Sequence, residues 1–470
     1  MELQNFLKFL EIKSALTGKL DTITLDSRQV KANSVFVALS GNNFDGHNFI
    51  EQAKQAGAAL ILCEKPEYAD QQQVFTLKNL RKKLPDIAEF FYGELNLKTI
   101  AVTGTNGKTS VVDLLRQLLH LAGKKVFSMG TIGVFFGAQK LHDTTHTSAD
   151  IFSFYQQLKQ AEELGAEYVV FEASSHALDQ QRLGNLQVDQ AIFTNLTQDH
   201  LDYHQNMQNY FAAKAKLFND HLKGSAIINV DDQYGQQLCQ LCQKSAKQFV
   251  TYAKIEQADL QQNAKQQIKY QQELAEFKHH LLGEFQDYNL LAVLLTLFEQ
   301  DFTLQDLLPL LTKLAPISGR LELVAEQHDI RFFVDYAHTP DALENILTSL
   351  EPLTMGRLIL LFGCGGERDQ EKRPLMGKIA KQYADEIIIT DDNPRNENAA
   401  NIRAEILATC PSAQEIAERE MAIKYAVQIA KPGDNVVIAG KGHETYQIIG
   451  KVKKDFSDTE MVKKYVANLG

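Results

Sequence analysis

TIAVTGTNGKTSVVDLLRQLLHLAG, residues 99–123, decides the fold. TIAVT is a short apolar run of the kind that forms a buried strand, and TSVVDLLRQLLHLAG places leucines at helical spacing before closing on Gly123. Between them lie Gly104, Thr105, Asn106, Gly107, Lys108, Thr109 and Ser110. A glycine-bounded turn between strand and helix can aim backbone N–H groups at phosphate oxygens, at the positive end of the helix dipole. Lys108 would meet the β- and γ-phosphates and Thr109 would offer a hydroxyl to Mg²⁺. The loop is a shortened GxxGKT form, because Val102 stands where the longer phosphate-loop pattern has its first glycine. It predicts ATP or a similar triphosphate as a ligand, and leaves the product open.

Outward from this unit the strand–helix alternation continues. KKVFSMG (124–130), YVVFEAS (168–174), QAIFTN (190–195) and SAIINV (225–230) read as strands, with helices such as DIFSFYQQLKQAEELG (150–165) between them. Repeated units of this kind predict a mainly parallel sheet covered on both faces. Upstream, SVFVAL (34–39) and AALILC (58–63) alternate with helical stretches, and a polar break falls near Tyr92–Asn96. Downstream of Pro316, RFFVDYAH, RLILLFG, EIIITDD and NVVIAGKG each end in loops rich in Gly or Asp, where open α/β sheets bind ligands. The expectation is an α/β protein of three domains, 1–95, 96–314 and 315–470. The Gln-rich stretch 255–273 is expected to be a solvated, loosely held excursion.

Composition excludes several classes. The 48 basic and 59 acidic residues give a net charge of −11, which argues against a non-specific nucleic-acid coat. The longest apolar block, Leu358 to Phe362, is far too short to span a bilayer, and the first residues lack the pattern of a secretory signal. Five scattered cysteines fit a reducing, cytoplasmic setting. Cys239 and Cys242 form only half of a zinc pattern and are read as ordinary helix residues.

Chemistry-bearing residues cluster at strand ends. Glu172 is followed by Ser174, Ser175 and His176, and a second strand leads to Asp199 and His200. Beside a phosphate loop such a carboxylate could complete Mg²⁺ coordination with Thr109, whereas His200 reads equally as ligand or loop anchor. In YFAAKAKLF, Lys214 shares a helix face with Tyr210, Phe211 and Phe218, while Lys216 points away. Lys214 either snorkels to solvent or is buried as a neutral amine. Asp392-Asn393-Pro394-Arg395 reads as a turn, yet a turn alone does not require an arginine, whose fork suits bidentate capture of a carboxylate.

Together these stretches resemble the Mur ligases. The motifs are DSRQVKANSVFVALSGNNFDGHNFI, GTNGKTS, EASSHALDQQRL, TNLTQDHLDYH, YFAAKAKLF, GRLE, DYAHTPDALE, GCGGERDQEKRPLMG, DNPR and GKGHETYQ, in the family's order over nearly the whole chain. The resemblance implies a UDP-sugar-binding first domain, a central phosphate-loop ATPase domain and a Rossmann-like third domain that close around the substrates. It implies that ATP phosphorylates the D-Glu carboxylate of UDP-N-acetylmuramoyl-L-alanyl-D-glutamate and that an amino acid's amine attacks the acyl phosphate, in a cytoplasmic monomer. DNPR implies that this amino acid is meso-diaminopimelate.

Carried over residue by residue, the resemblance makes Lys108, Lys214 and His200 catalytic, with Lys214 bearing a carbamate from CO₂. Thr109, Glu172, His200 and Lys214 would form the Mg²⁺ site, and Asn289, Arg320, Asp335 and His338 would surround the nucleotide. Ser27 and His47 would hold the UDP-sugar end, and Thr144, Thr145, Ser174, Gln180 and Arg182 the peptide. Arg368, Asp392, Asn393, Pro394, Arg395, Gly440 and Glu444 would form the amino-acid pocket, with Glu444 on the distal ammonium. Two departures from the family pattern stand out: Gln286 replaces an Asn before Asn289, and Asp143 and His146 flank the threonine pair. The rival readings are a lysine-adding sister ligase, which would lack Arg395, and a folylpolyglutamate synthase, which usually has Gly-Ser at the positions of Thr109 and Ser110. A nucleotide-dependent scaffold that has lost catalysis is a third.

Overall fold

The computed structural model describes residues 1–41, 45–68, 72–144 and 147–469. The first sheet holds β1 (Thr22–Thr24), β2 (Ser34–Ala38), β3 (Leu60–Cys63) and β4 (Val74–Thr76), all parallel and in that order. One face packs on Val30, Ile50 and Ala53; the other merges with the central core through Leu3, Phe6 and the helix Leu80–Tyr92.

The second sheet is built on β5 (Lys98–Thr103), followed along the chain by β6 (Val126–Gly130), β7 (Gly133–Phe136), β8 (Gln139–His142), β9 (Tyr168–Glu172), β10 (Val188–Phe193), β11 (Leu222–Asn229) and β12 (Gln248–Ala253). Then come β13 (Leu260–Gln262), β14 (Gln267–Tyr270) and β15 (Glu273–Glu276), giving the order β15-β14-β13-β12-β11-β10-β5-β9-β6-β7-β8. Pairing is parallel from β13 through β6, and antiparallel hairpins extend both ends. Period-two alternation sorts the side chains: Ile100 and Val102 of β5 face one core, with the helices Lys108–Leu121 and Glu284–Phe298, while Ala101 faces the other. That is the doubly covered sheet expected from the sequence.

The Gln-rich stretch departs from expectation. Much of it forms β13 and β14 and lengthens the sheet. Leu260 and Ile268 are fully buried, and the Tyr270 ring stacks on Phe298 at 4.5 Å. Leu260, Ile268 and Tyr270 dock the strands at the right register, and the glutamines mostly cover the solvent side.

The third sheet contains β16 (Glu322–Gln327), β17 (Ile330–Asp335), β18 (Leu358–Phe362), β19 (Glu386–Ile389), β20 (Gln414–Glu415) and β21 (Asn435–Ala439), in the order β16-β17-β21-β18-β19-β20. All its pairs except β16–β17 are parallel, and both faces carry buried clusters. A separate hairpin, β22 (Tyr446–Ile449) and β23 (Val452–Asp455), lies against the Asp392–Arg395 loop through an Arg395–Ile449 bridge. Among the described residues no helix is long and apolar enough to cross a membrane. Cys239 and Cys242 lie on the helix Gln233–Lys244, where burial pushes their thiols up to about 12 and about 11, so they are protonated thiols.

Candidate active site

The turn after β5 is held from the end of β10. Thr105 and Asn106 donate their backbone N–H groups to the Asn195 carbonyl and side-chain oxygen, both at 2.9 Å, and the Thr194 hydroxyl donates to the Asn106 carbonyl at 2.6 Å. Gly104 has φ +149°, and a Cβ there would stand 1.8 Å from the Thr194 hydroxyl. Glycine is therefore required by both conformation and space. Asn289 is steadied by a hydrogen bond to Gln286 at 3.0 Å, so the substituted position still serves Asn289.

Two lysines converge on one carbonyl. Lys108 Nζ donates to the Gly104 and Thr105 carbonyls at 2.9 and 2.8 Å, and Lys214 Nζ donates to the Gly104 carbonyl at 2.7 Å. Lys214 is 1% exposed, so it does not snorkel; Lys216, one turn face away, reaches Asp179 instead. Burial, reinforced by the Lys108 charge, lowers the Lys214 pKa well below the ordinary lysine range. Tyr210, one helical turn earlier, places its ring 4.5 Å from Lys214 Nζ and its hydroxyl 3.2 Å from the Thr105 hydroxyl. The i,i+4 spacing was a legible signal for that contact.

Glu172 is buried at the end of β9, accepting the Thr131 N–H at 2.6 Å and its hydroxyl at 3.1 Å. His200 lies in a left-handed conformation (φ 55°) with Nε2 3.3 Å from Asp199. Asp199 is also approached by His338 at 3.7 Å and Lys372 at 3.9 Å, both from the third sheet's domain. Burial alone would raise the Asp199 pKa, but His200, Lys372 and His338 hold it well below the carboxylate range. Asp199 and Lys372 thus join the site as partners that sequence reading did not assign.

Thr109, Glu172 and His200 each have their own partners, and among the described residues no group of three or more His, Cys, Asp and Glu comes together as a cation site. The donor chemistry nonetheless fits a hard cation: a hydroxyl and a buried carboxylate are oxygen ligands, whereas the Lys214 amine would fit only after conversion to an acid.

From the third domain, Arg320 donates to the Thr109 hydroxyl at 3.0 Å and stacks on Tyr336 at 4.6 Å. Asp341 accepts from Asn106 at 2.7 Å. Asp335 accepts the Leu321 and Ala337 N–H groups, which makes it a staple of the loop that carries Arg320 and His338. Thr144, Arg182 and Glu172 line one small cavity with Ser148. Gln180 accepts from Arg182 at 2.7 Å, and Ser174 caps the helix Ser175–Asp179. Thr145 and His146 lie outside the described residues. Ser27 and His47 keep to the first sheet's loops. Ser27 donates to Gln52 at 3.5 Å; His47 Nε2 accepts the Glu64 N–H, which leaves Nδ1 to donate to Asp45 at 2.6 Å.

The Asp392–Arg395 loop is pinned on several sides. Asn393 accepts the Ile448 N–H at 2.9 Å and donates to Glu444 at 2.9 Å. Arg395 takes a left-handed φ of 53°, donates its N–H to the Ile448 carbonyl, and sends Nη1 to the Gly366 carbonyl at 2.8 Å. A Cβ on Gly366 would stand 2.0 Å from the Pro394 carbonyl, so only glycine lets the two loops meet. Burial, then the neighbouring Arg368 charge, pulls the Arg395 pKa down. Gly440 abuts Asp392, and fully buried Lys441 bridges Asn393 at 3.2 Å and Glu444 at 2.8 Å. Lys441 was missed in the sequence, although its place three residues before Glu444 marks it.

Burial holds three histidines near the interface below their usual value, His200 and His443 at about 3 and His204 at about 4. In the unfolded chain they titrate near ~6.5. Between ~4 and 6.5 the unfolded state binds more protons, so stability is fully present above that window and is lost as pH falls through it. The thermal midpoint is expected to drop between pH ~7 and ~4.5, with a shallower slope for His443→Gln. A flat profile over that range would contradict the assignment.

Three family patterns match in sequence: the Mur ligase family catalytic domain over residues 19–92, the Mur ligase middle domain over 102–297, and the Mur ligase glutamate ligase domain over 319–442. A UDP-N-acetylmuramoyl-L-alanyl-D-glutamate–2,6-diaminopimelate ligase of Aquifex aeolicus (strain VF5) is 40% identical, covering 97% of this chain and 96% of its own length. The ligase of the same name from Rickettsia montanensis is 42% identical, covering 95% and 96%. A solved structure of a protein with that name superposes with a TM-score of 0.65 at 32% identity, over 98% of both chains.

Proposed function

This chain belongs to the Mur ligase family, and from that premise we propose that it joins meso-diaminopimelate to UDP-N-acetylmuramoyl-L-alanyl-D-glutamate in peptidoglycan precursor synthesis. It is an ATP-dependent, amide-forming ligase. The observation that carries the choice of substrates is the end-to-end match to relatives named as 2,6-diaminopimelate ligases. The local chemistry agrees: a guanidinium on a braced loop suits the carboxylate that distinguishes meso-diaminopimelate from lysine. In this reading residues 1–95 bind the UDP-sugar, 96–314 the ATP and 315–470 the amino acid, in a cytoplasmic monomer.

A carboxylate resists attack by an amine because its leaving group would be oxide. Phosphoryl transfer from ATP to the D-Glu carboxylate supplies a better leaving group, and the amine of meso-diaminopimelate displaces phosphate to give the amide. Lys108, released from the Gly104 and Thr105 carbonyls it now holds, offsets charge on the transferring phosphoryl group. Arg320 beside Thr109 adds a second cation from the third domain, so that domain's docking completes the nucleotide site. Thr109, Glu172 and His200 would hold Mg²⁺ together with a carbamate on Lys214; the ion supplies charge neutralisation between the two anionic reactants. Thr144 and Arg182 face the peptide, and Arg395 and Glu444 orient the amino acid by its two charged ends.

The test is phosphate release and amide formation across an amino-acid panel. Release is expected only when ATP, the UDP-muramoyl dipeptide and the amino acid are all present, with meso-diaminopimelate strongly preferred to L-lysine. Equal use of lysine would remove the substrate assignment, and release without the dipeptide would point to a nucleotide switch.

A further inference from the structure

The two loops of the amino-acid pocket share a buried cation that no step above uses. Arg419 opens the helix Arg419–Ile429 and is 1% exposed. Its Nε and Nη2 donate to the two carboxylate oxygens of Asp458 at 2.7 and 2.8 Å. Asp458 is fully buried as the first residue of the helix Asp458–Val466. The same guanidinium reaches two backbone carbonyls. Nη2 donates to Ala439 at 2.8 Å, and Nη1 contacts Asp391 at 3.5 Å. Ala439 immediately precedes Gly440 on the loop to Glu444, and Asp391 immediately precedes the Asp392–Arg395 turn.

The strands that carry these loops are not direct neighbours in the sheet. The loops leave β21 and β19, which are separated by β18 and share no ladder hydrogen bond. A buried ion pair contributes little net stability over well-packed apolar residues of similar volume. What a guanidinium adds is a rigid planar fork that fixes several acceptors at once.

We propose that Arg419, oriented by Asp458, is a positioning residue for the amino-acid substrate: at the base of the loops bearing Arg395 and Glu444 it fixes their separation, below the Asn393–Glu444 and Lys441 contacts that join them further out. The inference rests on reading those loops as the diaminopimelate pocket.

The test is steady-state kinetics of the full chain carrying Arg419→Met with Asp458→Leu, which replaces the pair by apolar residues of similar bulk. The expected result is a thermal midpoint near wild type and a KM for meso-diaminopimelate raised about tenfold or more, the size of a lost hydrogen bond from a charged group. The KM for ATP and for the UDP-muramoyl dipeptide should stay within about twofold, because neither carbonyl belongs to those sites. A folded double variant with a wild-type KM for meso-diaminopimelate would overturn the proposal, since a purely structural pair predicts that outcome. Arg419→Lys serves as the second variant: it keeps a cation beside Asp458 without the fork, and should raise the same KM several-fold while leaving that for ATP alone. A wild-type value there also overturns it. Wild-type enzyme that refuses meso-diaminopimelate would instead remove the pocket reading, and the same comparison, run with whichever amino acid it accepts, would still decide the role of Arg419.

Discussion

Replacing Lys214 by alanine is expected to lower amide formation on the order of 10³-fold, the several kcal/mol that charge stabilisation at a metal-assisted site supplies. The amine is buried, and its pKa is depressed by burial and by Lys108. It therefore has a populated neutral form that can add to CO₂, losing one proton, whereas an exposed lysine remains protonated. The resulting carbamate would be an oxygen ligand where the amine is not. Short carboxylates such as acetate or formate should restore part of the lost activity, since alanine leaves room for a small anion. Folding needs a separate check, because Lys214 also holds the Gly104 carbonyl. Full activity without added carboxylate would end the carbamate idea. A folded, inactive variant that no carboxylate rescues would reduce Lys214 to a brace of the phosphate loop.

Arg395→Ala should reduce kcat/KM for meso-diaminopimelate by about 3–5 kcal/mol if the substrate carboxylate is paired with a desolvated guanidinium. ATP binding should change far less. The structure explains why the effect should be concentrated there: Arg395 sits on a loop braced by Ile448, Gly366 and Gly450, so its fork is aimed before substrate arrives. Arg395→Lys keeps the charge but loses the two-pronged geometry and should recover only part of the loss. The pocket assignment fails should Arg395→Ala turn over meso-diaminopimelate at the wild-type rate.

Much of this site could be read from local sequence. The phosphate turn was visible because its requirement is local: a strand, a tight glycine-bounded bend and a helix start within ten residues. The apolar helix face of Lys214 left snorkelling and burial both open, and the 1% exposure in the fold decided for burial. Other features left little local trace. The backbone staple that Asp335 forms with the Leu321 and Ala337 N–H groups had no local sign. Nothing in the local sequence marks Lys441 and Lys372 as buried, yet each lies beside a carboxylate contributed by a turn or another domain. The glutamines of 255–273 masked two strands because polarity dominated the count, while docking depended on Leu260, Ile268 and the Tyr270 ring.

By itself the sequence determined the α/β alternation, the phosphate turn and the types of group available for chemistry, since strand pattern, helical spacing and turn stereochemistry act over a few residues. Only the tertiary structure decided which groups meet. Arg320 on Thr109, Asp341 on Asn106, and Lys372 and His338 around Asp199 all join residues more than a hundred positions apart. Their pairing, and the protonation it imposes, comes from burial and distance, and neither exists until the domains are packed.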